Sequence, residues 1–246
     1  MCVLSLAWRT HPRWRLVMAG NRDELHSRPA APLARWDGPG GVIAGRDLLS
    51  GGTWAGVSEQ GRFAVVTNLG GYGPPDPARQ SRGALLKDQL SGEGRYAEAT
   101  EADLGDFNPF NLITAQGDEA LFWSNRPKPV RRTLTPGLYG LSNGALDEPW
   151  PKTQRLKTIL DDWLSGPAVR PQDLLDGLQE DRLIDTPTPE PGAAFQAIFI
   201  RNPLYGTRCG TVVAIDEDGR GLIAERRFDA EGAVTGETVL DFVWPA

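Results

Sequence analysis

The sequence predicts an antiparallel, layered α+β domain: a four-layer αββα sandwich with helix, sheet, sheet and helix stacked in turn. Three observations point there. Short runs rich in Val, Ile, Thr and aromatics fill the first half, two amphipathic helical stretches follow, and strand-like runs resume towards the end. Alternating βαβ units, the mark of a parallel sheet, are missing from this order. A chain of 246 residues can bury one substantial core, so one domain over residues 1–246 is expected.

The opening runs, CVLSLAW from Cys2 and WRLVMAG from Trp14, flank a polar stretch containing Pro12, which predicts a hairpin. Further strands are expected in GGVIAGRD, TWAGVSE, RFAVVTNL, FNLITAQ and EALFWSN, with Gly, Asp or Asn at the breaks. Between them, Gly83 to Leu90 and Tyr96 to Leu104 read as helices. WPKTQRLKTILDDWLSG then sets Leu156, Ile159, Leu160, Trp163 and Leu164 on one helical face, with Pro151 suited to a first turn and Gly166 to a stop. A second helix fits RPQDLLDGLQED, and TPTPEPG reads as a surface loop. Strands resume with FQAIFI, GTVVAID, GLIAERRFD and TVLDFVW, and DEDGRG predicts a hairpin turn.

Composition narrows the function. The formal net charge is −6 and the arginines are scattered among acids, which argues against nucleic-acid binding. No membrane span is read, and VLSLAW is too short for a secretory signal. Two cysteines 207 positions apart offer neither a disulfide framework nor metal spacing, and His11 and His26 form no metal motif. A reducing cytoplasm, a small-molecule partner and no cofactor are therefore expected. Richness in Ala, Gly, Pro and Arg over Lys suggests a GC-rich bacterial source.

Cys2 carries the chemistry. Loss of Met1 would leave a thiol and a free α-amine on one residue, a nucleophile with its own base, whereas a retained Met1 would take that amine away. AGNRDELHSRP crowds Asn21, Arg22, Asp23, Glu24, His26 and Arg28 after the second strand, which a hairpin would bring beside Cys2. There a guanidinium would lower the thiol pKa and a carboxylate would orient the amine. VTNLGGYG and YGLSNG place Asn68 and Asn143 at strand exits, either as turn formers or as donors to an oxyanion. GLSNG also matches a nucleophile elbow at Ser142, but both histidines precede that serine and no helix starts there. YGTRCGTVVAID puts Arg208 and Cys209 at a strand start. Alternation then predicts that they face opposite sides, so that a Cys2–Cys209 disulfide is not expected.

MCVLSLAW, GNRDE, VTNLGG, YGLSN and YGTRCGTVVAID, in this order, resemble the NRDE family, relatives of transport and Golgi organization protein 2. The resemblance implies an N-terminal-nucleophile-hydrolase-like fold, similar to choloylglycine hydrolases and penicillin V acylases. Matched position by position, it implies Cys2 as nucleophile, Arg22 and Asp23 beside it, the Asn68 backbone N–H and the Asn143 side chain as oxyanion donors, and Arg208 as the late arginine near the nucleophile. Gly-Asn-Arg-Asp-Glu from Gly20 departs from the acylases' Gly-Arg-Asn-x-Asp, which leaves open whether Asp23 or Glu24 holds the amine. The implied activity is hydrolysis of a non-peptide C–N bond in a small metabolite. The alternative is a non-catalytic carrier of haem or an acyl-CoA-type lipid metabolite, with His26 or Cys2 as an axial haem ligand and some of the eight tryptophans lining the pocket.

Overall fold

The structure is a computed structural model and describes residues 2–181 and 196–245. Apolar side chains of alternating parity sort its strands into two sheets. The first sheet contains β1 (Cys2–Trp8), β2 (Trp14–Leu25), β10 (Gly137–Leu141), β11 (Tyr205–Asp216), β12 (Arg220–Phe228) and β13 (Val234–Val243), in the order β10-β1-β2-β11-β12-β13. The second contains β3 (Ala30–Arg35), β4 (Val42–Asp47), β5 (Ala55–Ser58), β6 (Arg62–Asn68), β7 (Phe110–Gln116), β8 (Glu119–Ser124) and β9 (Val130–Thr133), paired in chain order. Every pairing is antiparallel.

Leu4, Leu6, Leu16, Met18 and Val213 of the first sheet meet Ile43, Val57, Phe63, Val65 and Ile113 of the second in the central core. The opposite parity, Val3, Ala7, Val17 and Val212, faces Leu156 and Leu160 of α2 (Pro151–Ser165) and Leu174 and Leu175 of α3 (Leu174–Gly177). On the far side, Leu85, Leu86 and Leu90 of α1 (Arg82–Ser91) cover Val42, Ala44, Ala64 and Val66. These are the four layers of an αββα sandwich. Gly52 permits a close approach: a Cβ there would lie 2.1 Å from the Gly83 carbonyl carbon, so the β4–β5 turn rests directly on the start of α1.

Several expectations need correction. Tyr96 to Leu104 is not a helix; a turn precedes a short 3-10 helix at Glu101–Asp106. The helix expected over RPQDLLDGLQED is a 3-10 turn, Pro171–Asp173, followed by the four-residue α3. The described part of FQAIFI is no strand, because its backbone finds partners elsewhere: Phe199 N–H donates to the Glu180 carbonyl, Ile200 N–H to Thr207 Oγ1, and the Ile198 carbonyl accepts from Asn21 Nδ2. TPTPEPG lies outside the described residues.

Candidate active site

β1 runs between β10 and β2, so the chain's first strand is held on both edges and its leading residue is fixed. Cys2 pairs with Arg22 across the hairpin and is 8% exposed. Its backbone N–H donates to Asn143 Oδ1 at 3.2 Å, and its carbonyl accepts from Ser142 Oγ at 2.6 Å. Ser142 is thus a clamp on Cys2, in keeping with the rejection of a serine elbow. Asn143 in turn donates Nδ2 to the Asn68 carbonyl at 2.7 Å, and its own carbonyl accepts from Gly70 N–H. The two asparagines expected as separate oxyanion donors therefore hold each other, with one amide N–H of Asn143 committed.

The thiol also departs from expectation. Burial pushes the Cys2 pKa up; the Asp23 backbone N–H, which bonds the sulfur, and the Arg22 guanidinium pull it down without prevailing. Cys2 therefore rests as a thiol rather than an activated thiolate. Asp23, not Glu24, is the carboxylate coupled to it. Asp23 is buried and accepts from Thr207 Oγ1 at 2.7 Å; burial raises its pKa to about 6, against the pull of Lys152, Thr207 and Arg22. Glu24 instead accepts its neighbour Leu25 N–H and pairs with Arg22 and Arg28.

Lys152 escaped the sequence reading. It is fully buried at the start of α2, and its Nζ has no hydrogen-bond partner among the described residues. Burial lowers its pKa, while the negative charges of Asp23 and Cys2 raise it. The signal was there: Lys152 lies four positions before Leu156, in phase with the apolar face of its helix.

Arg22 donates to Asp47 at 3.0 Å, with side chains 12% and 11% exposed, and Arg28 donates to the same carboxylate, so this cluster straps the two sheets together beside Cys2. Arg208 occupies a β-bulge: Thr207 pairs with Asp23 and Cys209 with Arg22, leaving Arg208 unpaired between them. The bulge breaks alternation, so both Arg208 and Cys209 line the cavity, which overturns the expectation of opposite faces. The disulfide stays out of reach for another reason. β2 lies between the two cysteines, setting them two strand spacings apart, about 9.6 Å, and both are free. Arg208 Nη1 donates to the carbonyls of Leu25, His26 and Arg28 and makes no salt bridge among the described residues. Glu225, also missed by the sequence reading, is a buried carboxylate of raised pKa, chiefly from burial, that accepts Leu33 N–H from the opposite sheet.

A cavity of about 750 Å³ opens beside these residues, walled by Cys2, Arg22, Asp23, Asn68, Arg82 and Arg208 among others; Asn143 is not on its wall. Trp54 lines it, whereas Trp8, Trp14, Trp123 and Trp244 are buried in the cores, so the expectation of a tryptophan-lined pocket reduces to one ring. The family described as TANGO2, Transport and Golgi organisation 2, matches residues 1–230.

The chain belongs to the TANGO2 family.

The human Transport and Golgi organization protein 2 homolog is 32% identical, with 92% of each chain covered. The Drosophila melanogaster Transport and Golgi organization protein 2 is 23% identical over 89% of each. Among solved structures, this TANGO2-family chain is similar to the C2A mutant of conjugated bile acid hydrolase from Clostridium perfringens, with a TM-score of 0.54 and 10% identity over 97% of this chain and 92% of that one. It is also similar to the Caenorhabditis elegans ortholog of N-acylethanolamine-hydrolyzing acid amidase, with a TM-score of 0.50 and 16% identity over 86% and 92%. These likenesses give the TANGO2-family chain the N-terminal-nucleophile-hydrolase-like fold.

Proposed function

We propose that the protein is a cysteine amidohydrolase of the N-terminal-nucleophile type, cleaving a non-peptide C–N bond of a small metabolite. One observation carries this reading: Cys2 heads a strand clamped on both edges, lines the cavity, and has its backbone nitrogen held by Asn143. Once Met1 is removed, that nitrogen is an amine. It takes the thiol proton as sulfur attacks the substrate carbonyl, which suits a thiol that rests protonated. The oxyanion that forms takes the backbone N–H of Asn68, a cavity-wall residue, while Asn143, off that wall, holds the Cys2 nitrogen. Collapse breaks the C–N bond, the amine hands its proton to the leaving nitrogen, and water then hydrolyses the thioester. Asp23 and Lys152 set the charge beneath this exchange. The fold neighbours named as an amidase and a hydrolase support the reading.

The raised pKa of Cys2 favours a second reading, a non-catalytic carrier of an acyl-CoA-type metabolite. A haem in that role would fall to Cys2, because His26 Nε2 lies 2.9 Å from the Asn202 carbonyl and, among the described residues, the cavity wall holds Cys2 but no His, Met or Tyr. The deciding experiment combines the intact mass of the purified protein with amine release from an N-acyl amide library. Amidohydrolase action requires loss of Met1 and turnover abolished in Cys2→Ala; ligand binding without turnover in either chain would establish the carrier.

A further inference from the structure

Val17, Ala19, Asn21 and Asp23 share one parity of β2, the parity that meets the helical layer. Val17 and Ala19 sit in the core with Leu156 and Leu160, and Asn21 donates to the Leu178 and Ile198 carbonyls. Lys152 enters this layer from the first turn of α2, about one helical turn before Leu156, which shares its cluster with Val3, the residue after Cys2. The stem of a lysine ordinarily carries its ammonium to water. This one ends fully buried, with Nζ 5.9 Å from the Trp150 ring centre and no hydrogen-bond partner among the described residues. Its charge acts on Asp23 and Cys2.

The other charges near Cys2 are balanced elsewhere. From β2 and α1, Arg22 and Arg82 act on the thiol, but Arg22 pairs with Asp47 and Glu24, and Arg82 interacts with Glu24. On α2, Arg155 pairs with Glu180 and Lys157 with Asp147. On β11, burial keeps Cys209 a neutral thiol and Arg208 spends Nη1 on backbone carbonyls; on β12, Glu225 pairs with Arg227. That leaves Asp23 and Lys152 as the couple that sets the charge at the Cys2 nitrogen. An α-amine has an ordinary pKa of about 8. A buried carboxylate acting on it alone would hold the proton on nitrogen, and an ammonium cannot accept the proton of an attacking thiol. A cation behind that carboxylate removes the hold.

We infer that Lys152 is a positioning residue for the Cys2 nitrogen: its buried cation offsets the Asp23 carboxylate, so that the amine exposed by loss of Met1 rests unprotonated and ready to take the thiol proton. This deepens the amidohydrolase reading, on which the need for a free amine rests. The test is the pH midpoint of the Cys2 amine, followed by its nitrogen resonance in a chain released from a cleavable fusion so that Cys2 comes first. Labelling only cysteine nitrogen leaves one other signal, the non-titrating amide of Cys209. Lys152→Met should raise the midpoint by about one pH unit or more, Asp23→Asn should lower it, and Lys152→Arg should leave it near the wild-type value. Combining Lys152→Met with Asp23→Asn should bring it back towards wild type, since neither charge remains. Melting curves show which variants fold, with Lys152→Gln standing in for Lys152→Met. Where neither folds alone, the rise is read between Asp23→Asn and the double variant, which leaves no buried charge unpaired. A midpoint that does not rise when the lysine charge is removed, or that rises as far in Lys152→Arg, overturns the inference. Turnover of an N-acyl amide library is scored separately on the same chains. The expected midpoints without turnover sink the amidohydrolase reading and leave this one standing; turnover with an unmoved midpoint does the reverse.

Discussion

Cys2, Asp23 and Lys152 are buried ionisable groups whose charges act on one another. The Asp23 carboxyl is raised from 3.8 to about 6, mainly by burial. Folding therefore takes up a proton between those values: the stabilisation is fully present below the unfolded pKa and is lost as pH rises through the folded one, an effect of at most about 3 kcal/mol. The difference in unfolding free energy between the wild-type and Asp23→Asn proteins should accordingly shift against the wild type from about pH 4 to pH 7, as followed by urea titration. A difference that stays flat across that range would show that burial does not perturb Asp23. In a Lys152→Met background the same comparison should have its midpoint above about 6, because the cation holding the carboxylate charged is gone. An unmoved midpoint would take Lys152 out of the site.

At the level of elements, the start of α1 and the β4–β5 turn share a contact that admits no Cβ at Gly52. Gly52→Ala should lower stability by about 1–3 kcal/mol and speed alkylation of Cys2 by loosening the cavity wall; unchanged labelling would mean that this contact does not gate access. The strands that the sequence revealed are those whose Val, Ile and aromatic runs feed a buried face, such as Phe110–Gln116, Arg62–Asn68 and the Cys2–Arg22 hairpin. The missed strands are all sheet edges. AAPLAR and VRRT close the two sides of the second sheet. An edge pairs on one side only and so tolerates Pro32, Arg131 and Arg132, which erase the usual pattern. The site was legible to a similar degree. Cys2, Arg22, Asp23 and Asn143 follow from the hairpin and the motifs, whereas Lys152 and Glu225 act through burial, which a linear pattern does not display.

At the scale of the whole molecule, an acidic chain encloses an arginine-rich cavity. Field lines concentrate in such a cleft, so the local potential opposes the net charge. Cys2 should therefore react with iodoacetate faster, relative to iodoacetamide, than a free thiol does, and the excess should shrink as salt is raised towards about 1 M, where screening extends over only about 3 Å. A ratio equal to that of free cysteine at low salt would remove the positive field. The two sheets share this wall through Arg22–Asp47 and Glu225–Leu33, so its charge pattern depends on their packing and belongs to neither sheet alone.

The bulge at Arg208 also makes one position of β11 dispensable. Deleting a residue within a regular strand, Val212 for example, carries every side chain on one side of the cut to the opposite face. Deleting Arg208 does the opposite, because Thr207 already pairs with Asp23 and Cys209 with Arg22, so the ladder closes into even register. The strand has room to lose that residue. Removing Arg208 outright should leave a melting temperature close to that of Arg208→Ala, whereas removing Val212 should abolish folding. A length change here would count as a point substitution, and comparisons of related chains that score gaps by length would misjudge it.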